Sequence, residues 1–340
     1  MPLDFINGCV DMAHGSGGRA SSELIHELFL PAFDNPILRE MNDQATLSIE
    51  SKRIVMATDS HVVSPLFFPG GDIGSLAVYG TVNDVSMSGA RPLYLSVGFI
   101  LEEGFALSAL KKIVDSMARA AEKCGIYIVT GDTKVVERGH GDGCYINTTG
   151  IGSLADCLHL SPTKIQCGDK IIISGTIGDH GTTILAQRQH LNLSTELHSD
   201  SQPLHDLVKS MVETVPEIRY MRDPTRGGLA AILNELTQSC GYAIQIDETR
   251  LPIKKEVKAC AELLGLDPLY IANEGKLIAF CPKDKANRLL NTMKQHPRGK
   301  EAAIIGEVTQ STTTIVEMQT SFGGKRIVDW RYSDPLPRIC

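Results

Sequence analysis

Short apolar segments typical of β-strands alternate with helical patterns in both halves of this chain of 340 residues. In the first half, strands are predicted at residues 53–58, 93–101, 126–130 and 145–154, with helices at 20–30, 74–89 and 106–123. In the second half, strands are predicted at 169–175, 243–246, 276–281 and 303–308, with helices at 182–189, 204–212, 225–239, 254–264 and 285–295. Because alternating strands and helices pack as layers, the sequence predicts a mixed α/β (α+β) architecture in two lobes.

A turn-rich stretch between residues 155 and 168 separates the two halves. We therefore expect an N-terminal domain over residues 1–155, a C-terminal domain over 165–322 and a mobile tail over 323–340. The tail ends on Cys340, and Pro335 and Pro337 favour an extended backbone before it. A terminal thiol on such a segment is suited to carrying a group from a pocket to another protein, although chain ends are often frayed and idle.

The composition excludes several classes of protein. The net charge is −7 and no basic stripe is present, so neither nucleic acid nor a membrane surface is expected as a partner. The nine cysteines include no Cys-x-x-Cys pair, so a disulfide framework and a structural zinc site are not expected. We find no signal peptide and no apolar run long enough to span a bilayer, and therefore expect a protein of the reducing cytoplasm.

Aspartates recur where predicted elements meet loops, and once inside an apolar helix: Asp59, Asp72, Asp84, Asp132 and Asp223. Magnesium prefers hard oxygen ligands, usually one or two carboxylates together with phosphates and water. Several carboxylates drawn together would repel one another unless a cation lay among them. A helix cap or a turn is the ordinary role of aspartate and is the alternative. Asp84 fits that alternative least, because it lies mid-helix beside Asn83.

Two polar segments of the first half are candidate ligand loops. Residues 14–19, His-Gly-Ser-Gly-Gly-Arg, precede a predicted helix, and the backbone N–H groups of such a loop can hold an anion. A flexible turn is the commoner reason for glycines at such a place. Lys134 lies in a predicted loop just past the strand at 126–130, where loops carry function, although a solvated lysine is the ordinary outcome.

Two further segments of this kind lie in the second half. Residues 222–228 combine Asp223 with two arginines and two glycines before a predicted helix, which suits either a cap or a bound phosphate. Glu274 lies at a turn before an apolar strand. A glutamate there is usually solvated, but a buried one is a candidate general base.

Several motifs occur in order along the chain: Asp-Ser-His at 59–61, Pro-Leu-Phe-Phe-Pro-Gly-Gly-Asp-Ile-Gly at 65–74, Asn-Asp-Val at 83–85 and Ser-Gly-Ala at 88–90. Together they resemble the ATP-binding lobe of the aminoimidazole ribonucleotide synthetase-like superfamily. The segments at 131–136, 175–181, 273–276 and 337–340 narrow the resemblance to the HypE family of nickel–iron hydrogenase maturation factors. The resemblance implies two α/β lobes, with dimerisation through the sheet of the ATP-binding lobe.

The same resemblance implies an ATP-dependent dehydration on the protein's own terminal cysteine. In this family, HypF carbamoylates the sulfur, ATP activates the amide oxygen as a leaving group, and a thiocyanate remains. The cyano group then passes to iron held by HypC and HypD and becomes a cyanide ligand of the hydrogenase. ATP and Mg²⁺ are the implied cofactors, HypF and the HypC–HypD complex are the implied partners, and a homodimer is the implied assembly.

The site residues implied by the resemblance form three sets. Cys340 is the expected carrier, with Lys134 holding the carbamoyl oxygen and Glu274 taking a proton. The expected metal ligands are Asp59, Asp72, Asp84 and Asp223. The expected nucleotide contacts are Gly15, Ser16, Gly17, Gly18, Arg19, Asp59, Asn83, Asp132 and Thr133.

Two other functions are open to this sequence. Selenophosphate synthetase belongs to the same superfamily and uses a reactive cysteine near its N-terminal glycine loop, a position that Cys9 would suit. That family does not end on a stiff tail with a terminal cysteine. A non-enzymatic scaffold that only presents its tail is the second alternative, and the set of aspartates argues against it. Selenide-dependent release of AMP would identify the first, and failure to bind Mg-ATP would support the second.

Overall fold

The computed structural model describes residues 3–42, 44–189, 197–329 and 338–340. The strands are β1 (Arg53–His61), β2 (Phe67–Phe68), β3 (Gly71–Asp72), β4 (Arg91–Glu102), β5 (Tyr127–Val136), β6 (Cys144–Leu154), β7 (Lys170–Ile173), β8 (Tyr220–Arg222), β9 (Ala243–Asp247), β10 (Ile278–Cys281), β11 (Ala303–Thr309), β12 (Val316–Gln319) and β13 (Lys325–Ile327). The helices are α1 (Arg19–Leu24), α2 (Leu30–Ala32), α3 (Ile73–Met87), α4 (Leu107–Cys124), α5 (Asp179–Arg188), α6 (His205–Thr214), α7 (Gly228–Cys240), α8 (Lys255–Leu264) and α9 (Ala286–Gln295). None of the described helices combines the length and apolar character that a membrane crossing requires.

A four-stranded sheet in the order β1-β6-β4-β5 forms the first half. β4 and β5 are parallel, whereas β6 runs antiparallel to β1 and β4. Helix α3 packs on this sheet, beside α4, and also contacts α6 and β8 of the second half. Thirteen of its fifteen residues are therefore buried. Helix α3 is the element around which both halves pack, and its charged residue, Asp84, is one of the two residues that are only partly buried.

The other face of the four-stranded sheet is exposed and partly apolar. Ile54 and Met56 on β1 and Ile100 on β4 point outward, and Met56 is 68% exposed. Met56 lies opposite Ile151 in the register of β1 and β6, so the apolar side chains continue across strands. An apolar sheet face of this kind is typical of a protein–protein interface.

A seven-stranded sheet in the order β13-β12-β9-β11-β7-β10-β8 forms the second half. Its strand β7 is buried on both faces. Ile171 and Ile173 contact one apolar cluster, which includes residues of α7, while Ile172 contacts another, which includes residues of α6 and α9. A continuous apolar run is what a strand covered on both faces requires.

Several predicted elements differ from those in the structure. The predicted loop over residues 131–134 is part of β5, because this strand pairs with β4 as far as Val136. Helix α7 begins at Gly228 rather than at residue 225, because Gly227 and Gly228 have φ values of 69° and 63°. Residues 325–327, which the tail prediction included, form β13 against β12. The two prolines of the tail lie outside the described residues.

Candidate active site

The last three residues lie against the segment that follows β1. The backbone N–H of Val62 donates to the terminal oxygen of Cys340 at 2.9 Å, and that of Ser64 donates to the carbonyl oxygen of Arg338 at 3.3 Å. Hydrogen bonds at every second residue are the pattern of an added antiparallel strand. Cys340 is only 8% exposed, so the chain end is inserted into the protein.

The guanidinium group of Arg226 connects the terminal thiol to the carboxylates around it. It donates to Oδ1 of Asp59 at 2.9 Å and also to the sulfur of Cys340. Burial, followed by the charge of Glu274, raises the pKa of the Cys340 thiol to about 12, although Arg226 acts in the opposite direction. A thiol with this pKa is protonated at neutral pH, so Cys340 is held here as a neutral group and not as a nucleophile.

Four acidic side chains form a cluster that reaches Cys340 through Asp59 and Glu274. Asp59 lies in β1, Asp84 in the middle of α3, Asp223 just after β8, and Glu274 in the loop before β10. Burial and then the charges of Asp223 and Asp59 raise the pKa of Asp84 to about 8. Burial raises the pKa of Asp223 to about 6. Burial also raises the pKa of Glu274 well above its usual range, and the charges of Asp59, Asp200, Asp223 and Asp84 add to this effect.

This cluster has the chemistry of a site that shares a cation with a ligand. The described residues contain no group of three His, Cys, Asp or Glu side chains that could hold a metal ion by themselves. Among the same residues, the buried Oε1 of Glu274 has no hydrogen-bond partner. Magnesium usually takes only one or two carboxylates and completes its shell with phosphates and water. Hard oxygen donors with uncompensated negative charge therefore fit Mg²⁺ bound together with a phosphate compound.

Asp72, predicted as a metal ligand, caps helix α3 instead. Its Oδ1 accepts hydrogen bonds from the backbone N–H groups of Gly74 at 2.8 Å and Ser75 at 3.0 Å. Its Oδ2 accepts a hydrogen bond from the hydroxyl of Ser116 at 2.6 Å. Both oxygens are occupied, as in the ordinary role of an N-cap aspartate. We therefore leave Asp72 out of the candidate metal set.

Asn83, predicted as a nucleotide contact, is 1% exposed and supports the Glu274 loop instead. Its Nδ2 donates to the carbonyl oxygens of Gln202 at 3.0 Å and Glu274 at 3.3 Å. Its Oδ1 accepts a hydrogen bond from the backbone N–H of Leu204 at 2.8 Å. The amide is fully used inside the protein, which leaves Asp84 as the residue of this motif that faces the carboxylate cluster.

A second support for Glu274 was not predicted from the sequence. Oδ1 of Asp200 accepts the backbone N–H of Glu274 at 3.1 Å, and its Oδ2 accepts from Nζ of Lys276 at 3.1 Å. Gly275 allows this close approach, because a Cβ atom at that position would lie 1.9 Å from the carbonyl oxygen of Asp200. Lys276 belongs to a motif that the sequence identified, whereas nothing in the local sequence marks Asp200.

The glycine loop and Lys134 lie at a separate place, along the open edge of β5. A cavity of about 390 Å³ is lined there by Gly15 and Gly17, by Asp132, Thr133 and Lys134, and by apolar side chains of the α1–α2 region. Nζ of Lys134 donates to Asp132 at 2.8 Å, and the Lys134 side chain is 63% exposed. Arg19 pairs with Glu23 at 2.9 Å. The cavity has an apolar wall and a polar rim, as a nucleoside with phosphates requires.

Within one chain, the carboxylate cluster and the cavity beside β5 lie at opposite edges of the four-stranded sheet. Asp59 is in register with Thr148, Thr148 with Val97, and Val97 with Gly131. Three strand spacings of about 4.8 Å separate Asp59 from Gly131 by roughly 14 Å. The structure therefore brings Glu274 to Cys340, as predicted, but it does not bring Lys134 to them in a single chain.

Comparisons with known proteins identify the family and the fold of this chain. Residues 41–154 match the model of the AIR synthase related protein, N-terminal domain, and residues 166–319 match that of the C-terminal domain. The chain is 58% identical to "Carbamoyl dehydratase HypE" of Azotobacter vinelandii over 338 residues, which cover 99% of each chain. The chain belongs to the HypE family. The predicted family and two-lobed fold are confirmed, and the selenophosphate synthetase alternative is not favoured.

Solved structures of HypE proteins have the same fold over almost the whole chain. A HypE crystal structure in complex with ATP is similar with a TM-score of 0.94 and 50% identity, covering 97% of this chain and 99% of that one. A chain from a HypE–HypF complex is similar with a TM-score of 0.80 and 48% identity, covering 90% of this chain and 99% of that one. Both lobes of the HypE fold are thus present here.

We expect Asp84→Asn to stabilise the protein when no metal or nucleotide is bound. The pKa of Asp84 is about 8 in the folded protein and about 3.9 in an unfolded chain. The folded state therefore binds the extra proton between these values, and the contribution of Asp84 to stability is lost as the pH rises. The midpoint of thermal unfolding should rise at pH 8, by about 2–4 °C for each kcal/mol gained, and it should rise by less at pH 5.

Thermal melts in EDTA at several pH values measure this difference. Glu122→Gln, on the exposed face of α4, serves as a control for the loss of one acidic charge. A difference between Asp84→Asn and the original protein that does not change between pH 5 and pH 8 would contradict the charge repulsion described here.

Proposed function

We propose that this protein is a carbamoyl dehydratase that converts an S-carbamoyl group on Cys340 into a thiocyanate with the use of ATP. The observation that carries the proposal is the inserted chain end, which places the Cys340 sulfur beside Arg226, Glu274 and the carboxylate cluster. The reaction joins the amide oxygen to the γ-phosphoryl group of ATP, removes both N–H protons and breaks the C–O bond. Its products are thiocyanate, ADP and phosphate.

The roles of Arg226 and Glu274 follow from their places beside the sulfur. A carbamoyl group on Cys340 would extend among the groups that now surround the thiol. The guanidinium of Arg226 can hold an oxygen on which negative charge builds during phosphoryl transfer. When bound, ATP would supply the phosphoryl group, and its Mg²⁺ ion would supply positive charge to the carboxylate cluster. With that charge offset, the pKa of Glu274 falls and its carboxylate can take a proton from the carbamoyl nitrogen.

We assign the metal to the carboxylate cluster and the nucleotide to the cavity beside β5. Asp59, Asp84 and Asp223 supply hard oxygen donors that lie close to one another, and Asp59 also acts on Cys340. The glycine loop, Asp132 and Thr133 line the cavity. The chemistry of each group of residues supports this division, because the cluster provides charge for phosphate-bound Mg²⁺ and the cavity provides apolar surface for a nucleoside.

The roughly 14 Å between the two groups supports a homodimer with composite active sites. Asp132 and Lys134 are in register with Gly98 and Ile100, and so share the exposed sheet face with Met56. If two copies pack through this face, Lys134 of one subunit lies in the interface. Lys134 and the nucleotide-binding cavity can then act at Cys340 of the partner subunit.

The expected partners follow from the carrier chemistry. HypF, which is present with HypE in one related crystal structure, is the proposed donor of the carbamoyl group. A HypC–HypD complex is the proposed acceptor of the cyano group. The reducing cytoplasm is the proposed location, because all nine cysteines are free thiols in the structure.

The carbamoylated protein should lose the mass of one water only when Mg-ATP is added. The amide oxygen is a poor leaving group until it is phosphorylated, so ATP without magnesium should have little effect. Intact-mass spectrometry after incubation with HypF and carbamoyl phosphate measures both stages, and Cys340→Ser is the control that should bind ATP but carry no carbamoyl group. Dehydration without ATP, or on one of the other eight cysteines, would refute the proposal.

The variants Asp84→Asn and Asp72→Ala should have different effects, because Asp84 is assigned to the metal site and Asp72 to a helix cap. An amide is a poor magnesium ligand, so Asp84→Asn should reduce ATP turnover about 100-fold or more. Asp72→Ala removes an N-cap and should lower the free energy of unfolding by about 1 kcal/mol, with ATP turnover within about threefold of normal. Coupled-enzyme assays and chemical denaturation measure the two effects. Equal loss of turnover in both variants would place Asp72 back in the metal set.

Mixed dimers of Lys134→Ala and Glu274→Gln subunits should regain activity. In a composite site, one of the two sites in each mixed dimer contains both original residues, so about half of the normal activity per dimer is expected. Differently tagged subunits, copurified and assayed for dehydration, provide the measurement. Homodimers of each variant are the controls. Mixed dimers no more active than these controls would show that Lys134 and Glu274 act within one chain, or that the protein does not work as this dimer.

A further inference from the structure

His180, which no proposed catalytic step uses, lies fully buried beside the docked chain end. It belongs to α5, and its ring has edge-on contact with Phe68 at 5.6 Å between centroids. Its Nε2 lies 2.8 Å from the carbonyl oxygen of Ile339, and its Nδ1 lies 2.7 Å from Oγ of Ser199. Both ring nitrogens therefore have a polar partner, and one of these partners belongs to the peptide bond that precedes Cys340.

The hydrogen-bond partners determine which nitrogen of His180 carries the proton. A carbonyl oxygen only accepts, so the hydrogen must be on Nε2. Burial lowers the pKa of His180, so the ring is neutral and Nδ1 is an acceptor. Oγ of Ser199 accepts the backbone N–H of Ser201 at 3.1 Å and keeps its own proton for Nδ1. Three hydrogen bonds therefore run in series, from the N–H of Ser201 to Ser199, from Ser199 to His180, and from His180 to the carbonyl oxygen of Ile339. Each donor in this series has an acceptor.

This chain of hydrogen bonds fixes the carrier cysteine from the side opposite to Val62. The N–H of Val62 holds the terminal oxygen of Cys340, while His180 holds the carbonyl of the preceding peptide. With both ends of the residue held, the side chain of Cys340 is directed toward Arg226. His180 itself touches the backbone and not the sulfur, so its role is positioning.

The same short segment also positions the candidate base. Ser199 orients His180, and the next residue, Asp200, accepts the backbone N–H of Glu274. Gly70 lets the segment approach the β2–β3 turn, because a Cβ atom at that position would lie 2.8 Å from the carbonyl oxygen of Ser199. Residues 199 and 200 thus fix the distance between the carrier and Glu274 from one side.

We propose that His180, oriented by Ser199, is the positioning residue that locks the terminal cysteine into the active site. The proposal rests on the proposed dehydratase function for its catalytic consequence. Its structural part, the docking of the chain end, has a test that is independent of activity. When the lock is lost, the chain end should spend more time outside the protein, where the Cys340 thiol can react with an alkylating agent.

Four variants of the full-length protein test the lock. His180→Leu removes the N–H donor, His180→Gln keeps an amide N–H at a similar reach, and Ser199→Ala removes the group that orients the ring. Thr183→Val is the matched control, because it removes another buried side-chain hydrogen bond from α5, to the carbonyl oxygen of Asp179. Iodoacetamide labelling of the uncarbamoylated protein is followed on the C-terminal peptide cut before Asp334, which separates Cys340 from the exposed Cys9, Cys157 and Cys167.

Labelling of Cys340 should accelerate about tenfold in His180→Leu, a change that corresponds to roughly 1.4 kcal/mol, the size of one lost hydrogen bond. Ser199→Ala should accelerate labelling by a smaller factor, while His180→Gln and Thr183→Val should stay near the original rate. Single-turnover dehydration of the carbamoylated variants should slow in the same order, with the affinity for ATP unchanged in calorimetry.

The outcomes separate the lock from a general structural role and from the proposed function. Unchanged labelling and dehydration in His180→Leu would overturn the proposal, as would equal acceleration in Thr183→Val and His180→Leu. If His180→Leu does not fold, Ser199→Ala and His180→Gln decide by the same criteria: equal rates in both would overturn it. Failure of the original protein to dehydrate its carbamoyl group would refute the proposed function, and labelling would still decide whether His180 docks the chain end.

Discussion

Acidic groups crowded at one place without enough opposite charge are the constraint on which the rest of this structure depends. Asp84 projects from α3, the element that both sheets pack around, and burial, followed by the charges of Asp223 and Asp59, raises its pKa to about 8. A carboxylate in that position weakens the unliganded fold, so its presence requires a gain in the liganded state. Arg226 offsets part of the charge and also contacts Cys340. Arg226 therefore couples the charge of the cluster to the docking of the chain end.

The sequence indicated site residues best where a residue type is unusual for its local surroundings. Asp84 was predicted as a metal ligand because an acidic residue inside an apolar helix has no local role, and the structure places it in the acidic cluster. Asp72 was predicted as a metal ligand too, but its oxygens accept the hydrogen bonds of an N-cap, a role that needs the same side chain at the same kind of position. Lys134 was placed in a loop because Gly131 resembles a strand end. Its strand continues because its backbone pairs with β4, a long-range interaction that local patterns do not contain.

Residues whose role is to hold other residues were the hardest to predict. Asp200 and His180 lie far in sequence from Glu274 and Ile339, which they contact; no motif marks Asp200, and the motif that contains His180 does not indicate its contact with the chain end. The α/β class and most element types followed from hydrophobic periodicity, which is a local property. The geometry of the site depends on contacts between the two halves, and only the folded chain brings these together. Asn83 shows the difference, since its motif was recognised while its support of the Glu274 loop was not.

A carrier cysteine has to satisfy two opposite requirements, and the contacts of the chain end balance them. In the docked state, Cys340 is buried and protonated, so a carbamoyl donor cannot reach it and its thiol does not attack. In the released state, the thiol is exposed to a partner protein. The described contacts that hold residues 338–340 are single hydrogen bonds, each worth about 1 kcal/mol in net terms, together with an ion pair between Arg338 and Asp142 and the burial of Ile339. A few such bonds favour docking without making release slow on the scale of an enzyme turnover. Ile339, which is 3% exposed and packs in the apolar core of the first half, anchors the docked chain end, while the hydrogen bonds orient it. Loss of one oriented hydrogen bond, such as that from His180, should therefore shift the balance toward the released state without abolishing docking.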